Sequence, residues 1–270
     1  MKILITTSQN VDNLWEKLLS HAARFFTPER FYRLESWMGT AGSLMAPVTA
    51  LLLVGLGIIA AIKTDSFISF AASIAAVIAF FVAHWCGRAL SANCDIAVTN
   101  SASRISGYGL FRSIALVASV GLIGFVVVAA YLAIKFSAIE PLYGPLGYAS
   151  AILFLMWFLL NPVLLSIKED SSSSPGDDAL SLYIFGILYG VKLHRVVFGG
   201  GLILGNIAIA YSIIQIMRGN VEEVLMSGLA GFAGVITVFV AALAPLILYL
   251  GFVFSYLVID LLRAVLRIGK

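Results

Sequence analysis

The chain has 270 residues, of which 61% are hydrophobic and only 11% charged, with a formal net charge of +3. Its mean hydropathy is +1.02. Soluble domains carry about 25% charged and roughly 45–50% apolar residues, and a globule of this size has too little interior to hide so many apolar side chains. The composition therefore excludes a soluble domain and a disordered chain. Two cysteines are too few for a disulfide-stapled scaffold.

What remains is an all-α polytopic membrane protein. Long continuous apolar runs, rather than short alternating ones, set aside a β-barrel. Residues 1–38 read as an N-terminal cytoplasmic segment of interfacial amphipathic helices, and residues 39–270 as a domain of six transmembrane helices in three hairpins. Residues 1–7 are apolar, but Asn10, Asp12 and Glu16 follow at once, so no cleavable signal peptide is expected. Val11, Leu14, Trp15, Leu18, Leu19, Ala22, Phe25 and Phe26 recur at the spacing of one helix face. That face has two readings: it packs on the protein's own inner surface, or it docks a partner. Thr27-Pro28 reads as an N-cap followed by proline at the first helical position. A short second helix with Phe31, Leu34 and Met38 is expected next.

The expected spans cover residues 39–62, 67–85, 110–134, 147–167, 197–217 and about 224–262, each near the length of about 20 apolar residues that crosses a bilayer. The last is long for one upright helix and holds Pro245. Pro245 should kink it, and it reads as one tilted, kinked span with a cytoplasmic extension, because no turn signal interrupts it. Between the second and third spans, residues 87–109 are polar and read as a solvated loop. Asn161-Pro162 reads as a helix stop. The stretch 168–196 holds a flexible serine-rich run and then a short apolar helix, interfacial or re-entrant. Of the 17 Lys and Arg residues, all but Lys63, Lys135 and Arg218 fall on alternate segments that include both termini. By the positive-inside rule both termini are cytoplasmic, in a bacterial inner membrane. Cys86 and Cys94 then lie on the reducing side.

A weak internal repeat is visible. Gly121-Leu122-Ile123, Ala130-Tyr131 and Ile134 recur at a constant offset as Gly201-Leu202-Ile203, Ala210-Tyr211 and Ile214. Such recurrence points to a parallel duplication of one hairpin.

The centres of the spans carry no Asp, Glu, Lys, Arg or His, and Asn206 is their most polar side chain. Ion-coupled transport, which relies on intramembrane carboxylates, is disfavoured. His84 and His194 are candidate axial ligands of a b-type haem, against the plainer reading of interface anchors at helix ends. Gly201, Gly205, Gly228 and Gly231 form small-residue faces that serve helix packing or contact with another subunit. Catalytic sets such as Gly-x-Ser-x-Gly or His-Glu-x-x-His are missing, and neither a cofactor nor a metal site is assigned. The expected partners are membrane lipid and other membrane subunits, not nucleic acid.

Three functions follow from this reading. The first is a non-enzymatic structural or assembly subunit of a larger inner-membrane complex, docking through Trp15, Leu18, Phe25, Phe26 and the glycine faces. The second is a transporter or channel-like protein for a neutral or lipidic solute, with a pocket expected near Asn206. The third is a haem-bearing redox subunit using His84 and His194.

Overall fold

The computed structural model describes residues 15–17, 19–101, 103–136, 143–171, 175–219 and 221–268. It is an all-α protein: α1 (helical over residues 15–17 and 19–25), then α2 (Pro28–Thr64), α3 (Phe67–Asn100), α4 (Gly109–Phe136), α5 (Tyr143–Leu160), α6 (Pro175–Lys192), α7 (His194–Arg218) and α8 (Val221–Ile268). Two three-residue strands, β1 (Ser103–Ile105) and β2 (Ile167–Glu169), pair in parallel with Ser103 opposite Ile167. Among the described residues five helices are long and apolar enough to cross a membrane: Pro28–Thr64, Phe67–Asn100, Gly109–Lys135, His194–Arg218 and Gly231–Leu261. The apolar stretches of α5, Gly147–Leu160, and of α6, Ala179–Lys192, are shorter. The protein is therefore a multi-pass membrane protein in contact with lipid.

Several boundaries differ from the sequence reading. The expected short helix after Pro28 and the first span are one continuous α2 of 37 residues, about 55 Å long at 1.5 Å per residue. It starts where Thr27-Pro28 predicts: the Arg30 amide donates to Thr27 Oγ1 at 3.4 Å, and the Phe31 amide donates to the Thr27 carbonyl at 3.2 Å. The second span does not end at Trp85. Helix α3 runs on to Asn100, through half of the supposed solvated loop, because no proline breaks it and Arg88, Ser91 and Asp95 fall on one helix face. The fourth span stops at Leu160. Asn161-Pro162 ends it as expected, and a 3₁₀ turn over Pro162–Leu165 leads to Ser166 at φ 59°, which turns the chain into β2. The last span is one uninterrupted helix, α8, with Pro245 inside.

The chain divides into two compact units, Met1–Tyr32 with Ser101–Tyr189, and Arg33–Asn100 with Gly190–Lys270. The first is built on aromatic rings. Phe31 meets Phe158 edge-on at 4.9 Å, Phe111 lies 5.0 Å from Phe185, and Phe158 meets Tyr189 at 5.2 Å. The N-terminal segment is pinned to the end of α5: Trp157 Nε1 donates to the Thr27 carbonyl at 2.8 Å, and Asn161 Nδ2 to the Phe26 carbonyl at 2.6 Å. Tyr108 donates its hydroxyl to the Ile167 carbonyl at 3.1 Å and ties the start of α4 to β2.

The second unit packs α7 against α8 and α3 against α8. Its core gathers Leu53, Phe80, Leu202, Ile209, Val238 and Ala242. Here a glycine's missing side chain decides the geometry. A Cβ at Gly205 would stand 3.0 Å from the Gly234 carbonyl oxygen, and one at Gly234 would stand 2.9 Å from that of Gly205. The two backbones touch, which only small residues allow.

Candidate functional site

Within the second unit, α2, α3, α7 and α8 surround a polar cavity of about 420 Å³. Its wall includes Glu35, Arg88, Ser91, His194, Arg195 and Phe198, together with Gly39 and Gly87. Each helix presents these groups at its own periodicity. Arg88 and Ser91 are one turn apart on α3, and His194 and Arg195 open α7, directly after the end of α6.

The charges are ordered in pairs. Lys192 Nζ lies 3.1 Å from Glu35 Oε1 and 3.1 Å from Oε2, and both residues are buried. Arg195 donates to Asp95 Oδ2. His194 is 1% exposed and both its ring nitrogens are engaged: Nδ1 with the Val191 carbonyl at 2.8 Å, and Nε2 with Ser91 Oγ at 2.8 Å. Burying a charge without a partner costs several kcal/mol, a cost that the pairing meets for Glu35 and Lys192; Asp95 and Arg195 are half-buried. Arg88 differs. It is exposed, and among the described residues no carboxylate lies within ion-pair distance of it.

Arg88 also lines a second space. A shallow groove of about 610 Å³ runs along α3 past Phe81, His84, Trp85, Arg88 and Ala89. The side chains of Phe81 and Trp85 are exposed there. Arg88 thus lines both a polar chamber and an aromatic, apolar surface.

The residues singled out from sequence are dispersed. His84 lies between the rings of Phe80, at 6.0 Å, and Phe198, at 5.4 Å, with its Nδ1 buried and unbonded. His194 spends its nitrogens on Ser91 and Val191, so axial ligation would require it to give up one of these bonds. Among the described residues no group of three His, Cys, Asp or Glu side chains is placed to hold a metal ion. Asn206 is buried and satisfied, accepting from Thr49 Oγ1 at 2.9 Å and donating to the Met45 carbonyl at 3.3 Å. It does not line the polar cavity. Gly201 and Gly205 face Ala241 and Val238 of α8, and Gly231 faces Ser212 of α7. Leu18 lies outside the described residues, and Gly228 is described only as part of the α8 backbone. Trp15 is half-buried. Phe26 is 7% exposed and Phe25 59%, with the Arg30 guanidinium 5.2 Å above the Phe25 ring.

The cavity residues themselves did not stand out as a set. Arg88, Ser91 and Asp95 carried the one available signal, a polar stripe at helical spacing. Glu35 and Lys192 are 157 residues apart, and nothing local links them. Comparison with protein-family models, with characterised proteins and with solved structures found no match to this chain.

Proposed function

We propose that the protein is a non-enzymatic, transporter-like membrane protein that binds a lipidic solute, set in a bacterial inner membrane with both termini cytoplasmic. One observation carries the reading: Arg88 lines both the polar cavity and the aromatic groove along α3. Ligand sites combine apolar walls with a few placed polar groups, and a polar chamber beside an apolar face suits a molecule with a head and a tail. The positive-inside reading puts Arg88 at the inner end of its span. A head at Arg88 then lies at the inner headgroup level, and a tail along Trp85 and Phe81 runs toward the midplane.

The alternative, a structural subunit of a larger complex docking through glycine faces, has less geometric support. Gly201, Gly205 and Gly231 are occupied by packing between α7 and α8. The test is native mass spectrometry of the full chain extracted from its own membranes in mild detergent. The expected particle is the 28.9 kDa chain with a discrete amphiphile retained. Stoichiometric companion chains without such an adduct would favour the subunit reading instead.

A further inference from the structure

We infer that the head bound at this cavity is an anion of phosphate chemistry, with Arg88 as its anchor; this rests on the lipidic-solute reading above. Both carboxylates near the chamber are already taken. Glu35 holds Lys192 through both oxygens, and Asp95 holds Arg195. A cationic head would therefore find no free counter-charge. A neutral head would leave the guanidinium donors of Arg88, exposed beside the site, without a charged acceptor.

An anion meets the opposite situation. Arg88 presents a guanidinium fork with no ion-pair partner among the described residues. Arg195 uses a single terminal nitrogen on Asp95, which leaves its other N–H groups as donors on the wall. Guanidinium forks match phosphate oxygens in geometry and charge. A carboxylate is saturated by one fork, whereas phosphate offers further oxygens to a second, and the chamber of about 420 Å³ holds two arginines. The phosphate has two possible sources, a lipid headgroup or a free phosphate in water, and the aromatic groove favours the lipid.

The experiment measures binding to the purified full chain in a maltoside detergent. The probes are dihexanoyl phosphatidic acid, dihexanoylglycerol, which lacks only the phosphate, and inorganic phosphate. Phosphatidic acid is expected to bind about tenfold or more tighter than dihexanoylglycerol, in line with charge-assisted hydrogen bonds. Arg88→Gln should erase that preference, bringing phosphatidic acid to the level of dihexanoylglycerol, and Arg88→Lys should keep part of it. Because Arg88 is exposed, both variants should melt with the parent, which separates lost recognition from lost folding. Equal binding of the two lipids, indifferent to Arg88→Gln, would overturn the anionic head and leave the lipidic reading standing. Inorganic phosphate bound as tightly as the lipid would uphold the anion site but overturn the lipidic reading. Binding of none of the three would overturn both.

Discussion

The hairpins α4–α5 and α7–α8 begin from matching stretches of sequence and reach different packings. Gly121 and Gly201 occupy corresponding positions. A Cβ on Gly121 would find only Ile152 Cδ1, at 4.0 Å, and one on Gly124 nothing within 4 Å; a Cβ on Gly201 would meet Ala241 Cβ at 2.5 Å. Three residues after these glycines the sequences diverge, with Gly124 and Phe125 in α4 against Leu204 and Gly205 in α7. Phe125 stacks on Tyr148 at 5.5 Å, while Gly205 lets α7 close on the backbone of Gly234. The same small residue is thus an unused vacancy in one hairpin and the reason for contact in the other. A glycine count carries no function until the facing helix is known.

The sharpest way to break this comparison is to make the hairpins alike. Gly205→Phe, which copies Phe125, should cost about 3 kcal/mol or more, because a Cβ there already meets Val238 Cγ1 at 2.5 Å and the Gly234 carbonyl oxygen at 3.0 Å, leaving no room for a ring. Loss of folded, monodisperse protein on heating in detergent is the measurement, and a variant that melts with the parent would remove the claim that α7 and α8 meet through that glycine. Next comes Asn206→Leu. It removes the buried side-chain hydrogen bond between α2 and α7 and should cost about 1–2 kcal/mol in the same assay. Phe125→Ala should cost about 1 kcal/mol, since it removes one half-buried ring from a stacked pair. Gly124→Leu should be smallest, within about 0.5 kcal/mol. A large effect there would mean that α4 has a tight partner after all.

Where local chemistry sets the outcome, the sequence was readable. Thr27-Pro28 starts α2 and Asn161-Pro162 stops α5, because proline lacks an amide hydrogen and restricts its predecessor. The unbroken α8 followed from the absence of any turn signal. The extension of α3 was misread because hydropathy falls after Trp85, and falling hydropathy marks a change of solvent, not the end of a helix. Its polar face, with Arg88, Ser91 and Asp95, was the missed sign. The β1–β2 ladder was invisible for another reason: three residues are too few to show alternation. The cavity was beyond local reading altogether. It depends on Glu35 meeting Lys192 and on His194 meeting Ser91 across 103 residues, pairings that only the folded helices create. Asn206 misled in the opposite direction, since a polar side chain in a span suggests a pocket, yet here it is fully used by its neighbours.

That use of Asn206 bears on how the second unit can move. Thr49 and Asn206 join α2 to α7 with a side-chain hydrogen bond at 2.9 Å, reinforced by the amide on the Met45 carbonyl. In the hydrocarbon layer no water stands ready to replace a broken bond. Sliding α2 past α7 by a helical turn, about 5.4 Å, would strand the Asn206 amide, while Thr49 would keep its bond to the Met45 carbonyl at 2.9 Å. Swivelling about the same point keeps them joined. The bond therefore works as a pin: it makes displacement along the helix axis costlier than a tilt about Thr49 and Asn206.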